Sequence, residues 1–272
     1  MKKLKFGCHS FLNARPLIQH LLNIKPENLP FEIVLGTPAE IAGELSKGKI
    51  DIGFIPSIEF LRNQNLFLLP GFSISSFKEV MSVLLLTDKK IEKIKTVQVD
   101  ERSRTSVILL RIILEKQYGI KPKLVDAVKK NSIADARLLI GDEALHISYG
   151  KREEDNKYYL DLSYEWYKLT KLPFVFAVIA SRGKIVPKEV LDFLDESKKK
   201  GMKLIGEIAG KEHKSCAIRE SEAYDYLSKK IIYSLRKKEL QGFQKFQQLA
   251  VEIGGLKEKR ELIYIKPQGA MG

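Results

Sequence analysis

The chain of 272 residues is poor in most of the side-chain chemistry that marks a function directly. Two cysteines, Cys8 and Cys216, lie too far apart in sequence for a disulfide framework, and neither sits in a metal-binding spacing. The four histidines, His9, His20, His146 and His213, are dispersed without ligand spacing, so no metal and no cofactor are expected. No apolar run approaches the ~20 residues of a membrane span. The opening Met1–Gly7 turns polar too soon for a signal peptide, which leads to the expectation of a soluble, cytoplasmic protein. Negative charge is also in short supply: 34 acidic residues stand against 47 basic ones, for a net charge of +13. That balance favours an acidic partner. The basic residues are nonetheless scattered, and runs such as Lys198–Lys200 and Arg236–Lys238 read as solvated helix faces. With no zinc-finger spacing, stacking-aromatic motif or basic arm beside them, nucleic acid is not the expected partner.

What the chain does have is a hydrophobic content of 44 %, enough for a packed core, and a regular alternation of strand and helix patterns. The stretch Gly7–Leu17 sets the theme. The apolar strand Leu4–Phe6 runs into a polar loop carrying His9, Ser10 and Asn13, and Pro16 then opens a helix, a position where its missing N–H costs nothing. Small polar residues at such a junction can face a ligand together with free backbone donors. The same arrangement recurs at Ser57, at Ser82 and at Thr105–Ser106. Phe31–Leu35 and Ile50–Ile55 read as strands, and Thr37-Pro38 and Pro56-Ser57 as helix starts, which argues for a parallel α/β sheet.

Two long apolar runs, Val80–Thr87 and Pro173–Ser181, read as a crossing and a return strand between two lobes. Between them, Thr96–Val99, a buried helix after Ser103-Arg104-Thr105-Ser106, and strands near Leu124 and Arg137–Ile140 repeat the pattern. The expected architecture is a two-lobed α/β clamshell. Residues 1–84 plus 179–272 form the first lobe and 85–178 the second, with ligand bound between them at strand ends and helix starts. Helical patterns are expected over Ser221–Arg236 and Glu239–Ile253. Glu59 reads as an ion-paired or solvated helix residue, Asp142 as a helix cap, and Cys8 as a buried small hydrophobe.

Six blocks, in order, carry a family resemblance. Ser10-Phe11-Leu12-Asn13-Ala14-Arg15-Pro16-Leu17, Asp51 to Glu59, Ser82-Val83, Arg104-Thr105-Ser106, Ile140 to Leu145, and Asp161 through Trp166 to Ala177 together resemble the chorismate dehydratases of the futalosine route to menaquinone. Phe11 departs from the pattern, standing where Tyr is more usual. The resemblance implies a fold similar to type II periplasmic solute-binding proteins. It also implies elimination of water from the dicarboxylate chorismate to give 3-[(1-carboxyvinyl)oxy]benzoate. Asn13 and Ser82 are then the expected catalytic pair, and Ser10, Ser57, Thr105 and Ser106 the expected substrate-binding residues. His9 is an alternative general base. Two other readings stay open: a non-catalytic binding protein for a small carboxylate, and the sister 1,4-dihydroxy-6-naphthoate synthase, which relies on a histidine in the second lobe, a place His146 could fill.

Overall fold

The computed structural model describes residues 3–100, 103–126, 134–150 and 158–268. The chain opens as β1 (Leu4–Cys8), α1 (Arg15–Leu22), β2 (Phe31–Leu35), α2 (Pro38–Lys47), β3 (Ile52–Pro56), α3 (Ser57–Arg62) and β4 (Phe67–Ser76). It continues through β5 (Val83–Thr87), β6 (Thr96–Val99), α4 (Arg104–Lys116), β7 (Lys123–Asp126), β8 (Ala136–Ile140), α5 (Gly141–Gly150), β9 (Tyr158–Asp161) and α6 (Leu162–Thr170). Next come β10 (Phe174–Ser181), β11 (Ile185–Val186), α7 (Lys188–Lys203), α8 (Ile205–Glu212), α9 (Glu220–Asp225), α10 (Lys237–Glu252) and β12 (Lys266–Pro267).

Local chemistry explains the early elements. Thr37 accepts from the Glu40 N–H while Glu40 reaches back to the Thr37 N–H, a reciprocal cap that starts α2. Gly48, at φ 76°, ends it in the left-handed conformation that only glycine adopts cheaply. Pro16 sits in the first turn of α1, as the sequence predicts.

Two five-stranded sheets form the frame, ordered β2-β1-β3-β10-β4 and β7-β6-β8-β5-β9. In the first, β1 pairs parallel with β2 and β3, and β10 runs antiparallel between β3 and β4. This is the two-lobed α/β clamshell of the periplasmic-binding-protein type. Sheet membership moves the expected crossings. β5 belongs wholly to the second sheet and β10 wholly to the first, so the strands themselves do not cross. The chain passes between sheets in the turn 77–82 and again around 171–173, not within the apolar runs. The runs are apolar because both strands are central in a sheet and covered on both faces. At the return, α10 lies so close to the chain that a Cβ on Gly242 would stand 2.0 Å from the Pro173 carbonyl oxygen.

The helix expected to run to Arg236 stops early. After α9 comes a single π turn, Tyr226–Lys230, and residues 231–236 extend alongside β4. Ile232 and Ser75 exchange backbone hydrogen bonds of 2.8 and 3.0 Å, and the Ser73 N–H reaches the Tyr233 carbonyl. β4 is an edge strand whose open N–H and C=O row needs covering, and the β-branched Ile231-Ile232 suits that task better than a helix. The near end of the same edge is covered by the C-terminal segment, where Leu68 bonds with Ile263 and Ile265. Lys198 likewise leaves its expected solvated face. Its ammonium donates to the Gly71 carbonyl and to Ser234, tying α7 to the bend in β4, while Lys199 and Lys200 pair with Asp195 and Glu196 on the surface.

Candidate active site

Between the two sheets lies a cavity of about 120 Å3. It is lined from the first sheet side by His9, Phe11, Asn13 and Pro56, from the crossing by Val80, Ser82 and Val83, and from the second by Ser103–Ser106 and Ile140-Gly141. Four of the six residues singled out from sequence, Asn13, Ser82, Thr105 and Ser106, are on its wall. Ser10 and Ser57 are not. Ser10 is exposed to solvent two residues beyond the end of β1. Ser57 is fully buried, and its hydroxyl donates to the Val175 carbonyl at 2.7 Å, holding α3 to β10.

The unpaired polar atoms of this wall are informative. Buried polar groups are nearly always hydrogen-bonded, and exceptions cluster where a ligand supplies the partner. His9 Nδ1, Asn13 Oδ1 and Ser103 Oγ are all buried without a partner among the described residues, and all three residues line the cavity. Asn13 sits in the short 3-10 turn Leu12–Ala14, closed by an Ala14 N–H to Phe11 carbonyl bond of 2.9 Å.

Ser82 ends the crossing turn, in which two non-glycine residues, Lys78 and Met81, adopt φ 74° and 67°. Such backbone costs of order 1–2 kcal/mol per residue and persists only where neighbours enforce it. The enforcing group is Asp161. One of its carboxylate oxygens accepts the Val80 and Met81 N–H groups at 2.9 and 2.7 Å, and the other accepts those of Ser163 and Tyr164, capping α6. Burial raises the Asp161 carboxyl to about 6, against the pull of those four donors.

On the second-sheet side, Ser103 stands at the N-cap of α4 yet caps nothing with its side chain. The first turn of this 13-residue helix, Arg104 to Ser106, lines the cavity, and the start of a helix is suited to an anion. Thr105 Oγ1 accepts the Ile58 N–H at 3.3 Å, joining the starts of α3 and α4. Arg104 adds a cation, moderated by Glu59, which it shares with Arg62. Glu59 is thus ion-paired, as expected. The wall combines a helix terminus, a guanidinium, hydroxyl donors and an amide acceptor, a set suited to holding and orienting a small carboxylate.

Three further groups act at this wall without having been assigned a site role from the sequence. Arg104 and Asp161 stand in the blocks that resemble the family, but only the structure shows what each holds. Tyr226, which contacts Ser82, lies far along the chain and bears no local signal. His146 is engaged with the Ala217 carbonyl at 2.8 Å and is not on the cavity wall. Cys8 is fully buried, and burial pushes its thiol up to about 12, so it is no nucleophile at neutral pH. Among the described residues, no group of three or more His, Cys, Asp or Glu is placed to hold a metal ion, and no helix is long and apolar enough to cross a membrane.

His9 stacks on Phe54, with ring centroids 5.2 Å apart, and burial lowers its imidazole to about 4. It is therefore neutral at pH 7. Because the folded value lies below the unfolded value near 6.5, the stability linked to His9 is fully present above about 6.5. It is lost as pH falls towards 4, by up to about 3 kcal/mol. Melting temperatures measured between pH 7 and 4 are expected to fall less steeply for His9→Phe than for the wild type; parallel curves would contradict a buried neutral imidazole.

A profile of the menaquinone biosynthesis family matches residues 4–252. The chain is 29 % identical to the chorismate dehydratase of Thermus thermophilus over 244 residues, covering 84 % of this chain and 88 % of that one. It is 27 % identical to the chorismate dehydratase of Campylobacter jejuni, covering 71 % and 74 %. Among solved structures it resembles protein AF1704 of Archaeoglobus fulgidus, with TM-score 0.72, 15 % identity and coverage of 93 % and 98 %. The periplasmic aliphatic sulphonate binding protein SsuA of Escherichia coli gives TM-score 0.65 at 13 % identity, covering 100 % and 94 %. The structural likeness is one of fold, whereas the profile spans nearly the whole sequence: the chain belongs to the menaquinone biosynthesis family.

Proposed function

We propose that the protein is a chorismate dehydratase, a carbon–oxygen lyase that removes water from chorismate to give 3-[(1-carboxyvinyl)oxy]benzoate. The observation that carries this reading is the convergence of unpartnered buried polar atoms, His9 Nδ1, Asn13 Oδ1 and Ser103 Oγ, on one cavity at the start of α4. The named relatives supply the substrate.

The chemistry asks for little more than orientation. The C3 proton of chorismate is vinylogous to the ring carboxylate, so the electron pair of the C3–H bond delocalises towards that carboxylate as the proton leaves. The pair then expels the C4 hydroxyl, and the ring becomes aromatic. In this reading the substrate's own enolpyruvyl carboxylate takes the proton, which ends in the departing water. The first turn of α4 and Arg104 hold carboxylate charge. Asn13 and Ser82 serve the leaving hydroxyl, and rigid placement of the C3–H bond supplies much of the rate. His9, neutral at pH 7, packs against the reacting face as a hydrogen-bonding group.

Incubating the purified protein with chorismate and following the aromatic product by absorbance and mass is the direct test. Turnover is expected. Tight binding without turnover would replace the enzyme by a binding protein, and neither binding nor turnover would overturn the substrate.

A further inference from the structure

Tyr226 lies outside every sequence block that resembles the family, in the π turn that follows α9. Its side chain is almost fully buried, at 1 % exposure. Its hydroxyl donates to Ser82 Oγ at 2.9 Å, across 144 residues of sequence. The Asn13 side chain is a hydrogen-bonding neighbour of the same phenol oxygen. The two residues assigned to the leaving group are thus bridged by a third. π turns are rare and occur mainly as single turns at functional positions.

We propose that Tyr226 is a positioning residue for the dehydration, setting the hydrogen-bond direction of Asn13 and Ser82 so that Ser82 presents its O–H, and Asn13 its carbonyl oxygen, to the substrate hydroxyl. The inference rests on the dehydratase reading of the cavity. A serine hydroxyl has one proton to give and two lone pairs. With Tyr226 donating into one lone pair, the Ser82 proton is free for the cavity. An asparagine amide presents either end. The phenol oxygen, having given its proton to Ser82, can only accept, so it takes the NH2 end of Asn13. The carbonyl end is then left without a protein partner, which is the state observed for Asn13 Oδ1. A substrate hydroxyl both donates and accepts, and these two side chains offer one complement to each. The leaving oxygen gains charge as the C–O bond breaks, so a fixed donor from Ser82 is worth most in the transition state. Burial keeps the phenol protonated throughout the working pH range, which holds the chain of bonds in one sense.

Tyr226→Phe keeps the buried ring and removes one oxygen. The kcat for chorismate is expected to fall about 10- to 100-fold with KM changed less than about threefold. Tyr233→Phe is the matched control, because the Tyr233 hydroxyl is also buried but has no partner among the described residues. It is expected to leave kcat unchanged. The decisive comparison is made in the Asn13→Ala/Ser82→Ala background. Acting through those two side chains, Tyr226→Phe adds no more than about a twofold loss there, whereas a loss as large as in the wild-type background overturns the proposal. A Tyr226→Phe enzyme with wild-type kcat, or one altered only in KM, overturns it while leaving the dehydratase reading intact. A wild type inert towards chorismate overturns both.

Discussion

Asn13→Ala and Ser82→Ala are each expected to lower kcat for chorismate about 100- to 1,000-fold, the range seen when one preorganised partner of a developing charge is removed. KM is expected to change little, because the first turn of α4 and Arg104, which hold carboxylate charge in this reading, are untouched. Stability separates the two variants. Asn13 Oδ1 is buried with no partner among the described residues, so removing that acceptor offsets the lost contact of the amide with Tyr226, and the melting temperature is expected to change little. Ser82→Ala removes the acceptor of the Tyr226 hydroxyl and is expected to cost about 1 kcal/mol. Loss of turnover without loss of fold marks groups that face a ligand and not the core. Steady-state kinetics with both variants is the measurement. Near-normal turnover in both would remove them from the mechanism, and abolished turnover in His9→Ala with chorismate binding retained would put a protein base in place of the substrate's carboxylate.

Arg260→Met is expected to be the most damaging of the single changes to the fold. The Arg260 side chain is buried at 6 % exposure in the C-terminal segment, and its guanidinium spends its donors on backbone carbonyls. It donates to Phe60 at 2.7 Å, to Leu66 at 2.5 Å, to Asn63, and more weakly to Glu261, while lying 4.0 Å over the Phe60 ring. Burial lowers it to about 10, which leaves it charged at neutral pH. These carbonyls include that of Phe60 in the last turn of α3, whose only backbone donor is the Asn63 N–H at 3.3 Å, so Arg260 adds a charged donor to the end of that helix. Methionine fills the apolar path but takes the charged donor from three carbonyls; those of Phe60 and Asn63 keep only backbone bonds of 3.3 and 3.4 Å, and that of Leu66 loses its Arg260 donor, a loss of about 3 kcal/mol in all. That corresponds to a fall in melting temperature of roughly 6–12 °C for a chain of this size. A change of less than about 2 °C in a thermal melt would show that the carbonyls find other donors. The effect reaches the cavity too, because the other end of α3 carries the Ile58 N–H bound by Thr105 and the Glu59 bound by Arg104.

The parts of the fold that were legible share a physical feature: their determinants are local. Thr37, Glu40 and Gly48 bracket α2 within a dozen residues, and Pro16 places α1. The parts that were not legible depend on distant partners. Residues 231–236 carry a helical pattern, yet the open edge of β4, more than 150 residues earlier, makes them extended. The helix α8 escaped notice because its apolar set, Ile205, Ile208 and Ala209, is short and flanked by glycine. In the site, Asn13, Ser82, Thr105 and Ser106 carried recognisable neighbours and reached the wall. Ser57 had the right type and position, but Val175 takes its hydroxyl, a contact no spacing reveals. Tyr226 and Asp161 act by folding back on the loop before β5, and only the assembled tertiary structure brings them there.

The placement of β10 between β3 and β4 also has a consequence for synthesis. All five strands of the second sheet lie between Val83 and Asp161, whereas the first sheet waits for β10, which ends at Ser181, twenty residues after Asp161. As the chain leaves the ribosome, the second sheet has all its strands first, while β3 and β4 still lack the strand that joins them. β3 and β4, complete at Ser76, keep open edges until β10 has been made at Ser181, and open strand edges are where partly made sheets aggregate most readily. The nascent chain is therefore vulnerable over that whole interval, and the cleft comes into being only after it.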